Sequence, residues 1–125
     1  MAQSVGLHEP EERLSPQTID RHRAITSIQE EFEAVDWYDQ RANATDDAEL
    51  AVLLAHNRDE EKEHAAMTLE WLRRRDPALD QHLRTYLFTT EPVTEVEREV
   101  QAEGGDPVTD GGGSLGIGGL RGETR

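Results

Sequence analysis

An all-α fold is what this sequence predicts: an antiparallel two-helix hairpin plus a short third helix, which is half of a four-helix bundle. Three observations point there. Ile25, Ile28, Phe32 and Val35 recur at spacings of 3, 4 and 3, the period that keeps side chains on one face of a helix. Helix-start signals stand at Ser15-Pro16, at Asp46 with Glu49, and at Asp76-Pro77, where a short polar side chain can accept from the free N–H groups of a first turn. The polar break between the first two stretches, Asn43 to Asp47, is short enough to make them antiparallel neighbours.

Taken in order, residues 1–14 are polar, lack periodicity and are expected to be flexible. Ser15 caps a first helix with proline at its first position, running to about Ala42 and spanning roughly 40 Å. Asp46 and Glu49 form the capping box of a second helix that runs to about Arg75. Asp76-Pro77 stops that helix and caps a third through about Phe88, with Leu79, Leu83, Tyr86 and Leu87 on its apolar side. The helical domain is thus expected over 15–90. Composition then shifts to Glu, Pro and Gly, which reads as a flexible linker over 91–113 with about one acidic helical turn at Glu95 to Val100. As a random coil it reaches roughly 27 Å. Apolar residues return only in a C-terminal segment over 114–125.

Composition narrows the function. The chain has 125 residues, 34% of them hydrophobic and 5% aromatic, so its core is thin and a monomeric globule is disfavoured. Thirteen basic residues against 27 acidic ones give a net charge of −14, which argues against nucleic acid and anionic membranes and favours cations or basic surfaces. With no cysteine, disulfides, thiolate metal sites and thiol nucleophiles are excluded. The longest apolar run, Ala51 to Ala55, and a polar N-terminus disfavour membrane spanning and signal-peptide secretion.

Polar residues interrupt the apolar seams. On the second helix Leu50, Leu54, Asn57, Glu61, His64, Thr68 and Trp71 follow alternating spacings of 4 and 3, so Glu61 and His64 stand where hydrophobes belong. Burying an unpaired carboxylate costs several kcal/mol, and a metal satisfies both residue types. On the first helix Glu31 lies about 60° from Ile28 and about 40° from Val35, at the border of the seam. Doubling Glu31, Glu61 and His64 across a two-fold axis gives the four Glu and two His of a di-iron carboxylate centre. Such ligands, without thiolate, suit iron or manganese. Tyr38 projects within about 20° of Glu31, one to two turns further on. On the opposite face Glu30 and Glu33 flank Trp37 in projection and could hold a cation loosely. The same spacings also fit solvated surface pairs at Glu61/His64 and Glu30/Glu33 with no metal at all. His8, His22, His56 and His82 lack a carboxylate at ligand spacing in the seam and are read as surface or packing residues.

The stretches Glu30-Glu-Phe-Glu-Ala-Val-Asp-Trp-Tyr-Asp-Gln-Arg41 and His56-Asn-Arg-Asp-Glu-Glu-Lys-Glu-His-Ala-Ala-Met-Thr-Leu-Glu-Trp-Leu72 resemble the encapsulated ferritins. Ser114-Leu115-Gly116-Ile117-Gly118-Gly119-Leu120-Arg121-Gly122 is similar to the peptides that dock cargo inside encapsulin nanocompartments. The resemblance implies a half-length ferritin-like protein whose dimers complete a four-helix bundle and assemble into a ring-shaped decamer. It implies ferroxidase activity, the oxidation of Fe(II) by oxygen at a di-iron site formed between two subunits, so that iron is both centre and substrate. Glu31, Glu61 and His64 would be the catalytic metal ligands, Glu30 and Glu33 an outer site through which metal enters, and Trp37 and Tyr38 would flank them. The partner would be an encapsulin shell protein, in whose lumen, within the prokaryotic cytoplasm, iron is mineralised and stored. Two other readings remain: a non-catalytic helical metal-binding protein, and an adaptor cargo whose whole function is its tail.

Overall fold

The computed structural model describes residues 6–104, and those residues are all-α, with no strand. A single 3-10 turn at Glu11–Arg13 precedes four α-helices: α1 (Pro16–Ala44), α2 (Ala48–Arg73), α3 (Pro77–Tyr86) and α4 (Val93–Gly104). No described helix is long and apolar enough to cross a membrane. The chain divides into two units, one ending at Leu72 and one beginning at Arg73.

The first unit holds α1 and nearly all of α2. Ser15 begins α1 as expected, its hydroxyl oxygen accepting from the Thr18 N–H at 3.0 Å, with Pro16 in the first turn. Thr45 to Asp47 reverse the chain: the Thr45 hydroxyl accepts from the Asp47 N–H at 3.1 Å, and Asp47 Oδ1 accepts from the Leu50 N–H at 2.8 Å. Asp47, not Asp46, is therefore the cap of α2. The expected capping box is not formed, because Glu49 falls one position early for the reciprocal bond. The reversal is pinned by Arg58, whose guanidinium donates to Asp39 at 2.9 Å and to Asp59 at 3.0 Å. Residues 19 apart on one straight helix would be separated by about 28 Å, so this bond requires the antiparallel hairpin. The hydrogen bond from Arg58, and then that from Lys62, hold the Asp59 carboxyl below its ordinary range.

Burial corrects the expected seams. On α1 the row Arg21, Ala24, Ile28, Glu31, Val35, Tyr38 and Ala42 is shielded along its length, whereas Ile25 is 45% and Phe32 56% exposed. On α2 Ala65 and Leu72 are buried and Leu54, Asn57, Glu61 and Thr68 half-buried, while Leu50 and His64 are exposed. The physical reason is the number of neighbours. A helix with one partner can cover only a narrow stripe, and each of these helices carries a wider one.

The second unit holds α3 and α4, which pack on each other. Asp76 caps α3 as expected, accepting from the Leu79 N–H at 3.0 Å. Leu79, Leu83 and Tyr86 are half-buried, and Leu87 is exposed. Burial raises the Tyr86 hydroxyl above its ordinary range, with Glu97 of α4 adding to it. Phe88 follows the end of α3 with φ of 66° and is wholly exposed. It occupies the left-handed position that helices commonly end on and usually give to glycine, at a cost of roughly 1 kcal/mol. Helix α4 is longer than the single turn expected within the 91–113 linker. Val93, Val96 and Val100 lie at helical spacing, Val96 is buried, and the Pro92 carbonyl accepts from Val96 at 3.1 Å. The rest of the expected linker and the 114–125 segment lie outside the described residues.

Asp80 ties the start of this unit together, pairing with Arg73 and with Arg84 at 2.9 Å. Burial acts to raise its pKa, but the hydrogen bonds from Arg73 and Arg84 outweigh it and leave the carboxyl below its ordinary 3.8. A depressed carboxylate contributes stability above its unfolded pKa and loses it as pH falls through the folded one. The stability advantage of wild type over Asp80→Asn should therefore hold at about pH 5 and fade below about pH 4, read as the difference in thermal midpoint. A second measurement tests the cap of α2. Asp47→Ala should cost about 1 kcal/mol and Asp46→Ala less than about 0.5; a larger loss at Asp46 than at Asp47 would return the cap to Asp46.

Candidate metal half-site

Glu31 sits near the middle of α1, in the shielded row. Its Oε1 is buried and accepts no hydrogen bond. An unpaired carboxylate oxygen in that position is costly, by roughly 1–3 kcal/mol, and none of the described residues offers it a hydrogen bond. Tyr38, two turns on and half-buried, lies under the Arg41 guanidinium, 5.6 Å from its ring centroid. Glu30 is exposed, Glu33 half-buried and Trp37 about half exposed, on the flank away from Phe32.

On α2 the expected pair forms. Glu61 Oε1 lies 3.6 Å from His64 Nδ1, with the Glu61 side chain 28% and the His64 side chain 48% exposed. Glu61 belongs to the shielded row, and His64, about 60° round the helix, opens onto the exposed flank that also carries Leu53 and Met67. The pair therefore straddles the border between what the hairpin covers and what it leaves uncovered. Sequence reasoning missed a neighbouring contact: Glu60 faces His56 at 3.8 Å and His64 at 4.0 Å. His56, read as a packing residue, has a carboxylate one turn away. The spacing of four residues carried that signal, but lay outside the seam.

Among the described residues no three His, Cys, Asp or Glu side chains converge on one point. A single chain thus brings Glu61 and His64 together and does not add Glu31 to them, nor does it gather Glu30 and Glu33 into a group of three. Glu31, Glu61 and His64 are two carboxylates and one imidazole, with no cysteine in the chain, and donors of that chemistry suit iron or manganese. The fit to a metal rests on the orphaned Glu31 oxygen.

Comparison with known proteins assigns the chain to a family. The EncFtn-like family model matches residues 6–90. An encapsulated ferritin-like protein of Rhodospirillum rubrum is 60% identical over 131 aligned positions, covering 98% of this chain and 94% of the relative. A ferritin-like protein of Thermotoga maritima is 54% identical, covering 88% of this chain and 93% of its own. The encapsulin nanocompartment cargo protein EncC of Myxococcus xanthus is 33% identical over 65% of this chain and 66% of its own. A crystal structure of a Nitrosomonas europaea protein superposes with a TM-score of 0.68 at 62% identity, covering 70% of this chain and 97% of that one. With a family model spanning the hairpin and α3, and relatives aligned over nearly the whole chain, the protein belongs to the EncFtn-like family of encapsulated ferritin-like proteins.

Proposed function

We propose that this protein is a ferroxidase that oxidises Fe(II) to Fe(III) with oxygen at a di-iron site completed by a second copy of the chain, as cargo of an encapsulin compartment. The observation that carries the reading is the buried Glu31 oxygen that no group among the described residues satisfies. A ferritin-like role is supported by the relatives, two of which are named ferritin-like. The exposed apolar flanks on either side of the shielded rows, Ile25 and Phe32 on α1 and Leu53 and Met67 on α2, support a second hairpin packing there to close a four-helix bundle, the arrangement that brings two half-sets together.

In this reading Fe(II) is the substrate, each ion giving up one electron and oxygen accepting them. The residues act by charge and position. Glu31 and Glu61 supply anionic oxygens that favour the more highly charged product, and His64 adds a neutral nitrogen donor. Tyr38 borders Glu31 from one to two turns away. Exposed Glu30 and half-buried Glu33, beside Trp37, form an outer site that gathers Fe(II) from an acidic surface. The assembly would be a ring-shaped decamer of such dimers. The C-terminal segment Ser114 to Arg121 would dock on the shell protein, which places the chain in the compartment lumen within a prokaryotic cytoplasm, as the EncC relative's name as a cargo protein supports. Iron is then stored by the shell, because a half-length chain forms no cage of its own.

Glu31→Ala, Glu61→Ala and His64→Ala should each lower Fe(II)-dependent oxygen consumption by about tenfold or more, while circular dichroism shows helicity retained. Wild-type rates in any two of them would end the reading. Removing residues 114–125 should leave that rate unchanged and abolish packaging when the chain is co-expressed with an encapsulin. Equal packaging of the shortened chain would move the docking signal into the helices and leave the ferroxidase reading intact.

A further inference from the structure

Glu60 stands outside the proposed ligand set, yet it faces two histidines at once. Its Oε1 lies 4.0 Å from His64 Nε2 and its Oε2 lies 3.8 Å from His56 Nε2. Glu61 Oε1 meanwhile sits 3.6 Å from His64 Nδ1. The His64 ring therefore has a carboxylate at each nitrogen, one supplied four residues earlier on α2 and the other three.

A neutral imidazole carries one proton and one lone pair, and only the nitrogen with the lone pair can bind a metal. The two carboxylates compete for that proton, and their positions decide which outcome serves the site. Glu61 is itself a proposed ligand, so a metal held by Glu61 lies on the Nδ1 side of the ring. His64 can offer its lone pair there only if the proton stays on Nε2, where Glu60 is the acceptor. We infer that Glu60 is the positioning residue of the site: it holds the Nε2 proton of His64 and so turns the Nδ1 lone pair toward the iron that Glu61 binds. His56, at the other oxygen of Glu60, restrains that carboxylate from swinging away. In this rotamer the contacts are longer than hydrogen bonds. Glu60 is 48% exposed, so one side-chain rotation is free to close the gap. This inference rests on the reading of Glu61 and His64 as iron ligands.

The test uses the full-length metal-free protein and its imidazole 15N chemical shifts at about pH 8.5, where an ordinary imidazole is neutral. The His64 signals are assigned by their loss in His64→Gln. In wild type His64 should carry its proton on Nε2. In Glu60→Ala, where Glu61 is the one remaining acceptor at the ring, the population with the proton on Nδ1 should rise by about threefold or more. Glu60→Gln should restore the wild-type state, because its amide oxygen still accepts. Titration with Co(II) as the probe should show binding weakened about tenfold or more in Glu60→Ala and returned to within about threefold of wild type in Glu60→Gln. Unchanged tautomers and cobalt affinity in Glu60→Ala, or no rescue by Glu60→Gln, would overturn the role of Glu60 while leaving the site standing. Wild-type cobalt affinity in His64→Ala would instead remove the ligand reading, and this inference with it.

Discussion

A helix packed against one neighbour can hide one row of side chains, and the hairpin follows from that constraint. The row on α1 runs through Ala24, Ile28, Glu31 and Val35, and the row on α2 through Leu54, Glu61, Ala65 and Leu72. Small alanines at the buried points let two backbones approach closely, and no large side chain is fully buried anywhere among the described residues. The apolar residues that lie one step round each helix have nothing to pack on within the hairpin. A carboxylate stands in each shielded row, so the same geometry that leaves hydrophobes uncovered also leaves the Glu31 oxygen without a hydrogen bond from any described residue. One unmet need is for apolar area and the other is for positive charge. A second copy would answer the first, and cations at the junction would answer the second.

The remaining ionic contacts are local and serve the frame. Arg58 locks the two helices near their turn through Asp39, and Asp80 draws Arg73 and Arg84 together at the start of the second unit. These use basic residues where the fold needs a crosslink. They leave most of the excess of acidic side chains, 27 against 13 basic, free to set the field around the chain, which attracts metal ions and repels anionic polymers.

Much of this was legible in the sequence wherever the determining chemistry is local. Ser15 and Asp76 cap their helices because a cap needs only the three residues that follow it, and both are read from that short window. Asp46 and Asp47 are adjacent residues of one chemistry, so the choice between them was made by the Thr45 hydroxyl, which the window did not weigh. In helix α4 the Glu and Pro content points to a linker, while the spacing of Val93, Val96 and Val100 carries the helical signal. The seams were found, but not which part of each is covered, because periodicity gives the width of a stripe and not the number of its neighbours. The Glu61–His64 pair was readable as an interval on one helix. A meeting of Glu31 with such a pair, as the proposed dimer would require, is a property of how copies dock, for which a single chain carries no periodic signature.

The three-residue reversal at Thr45 to Asp47 has a kinetic consequence. Contacts within the hairpin join residues close in sequence, so little loop entropy opposes their formation, and such topologies form on the microsecond to millisecond scale. The hairpin is thus assembled long before chains at cellular concentration collide in numbers. Any structure shared between copies must wait on that encounter. Its rate is then second order in protein, which would tie completion of the proposed site to how much of the chain has been made and how closely it is confined.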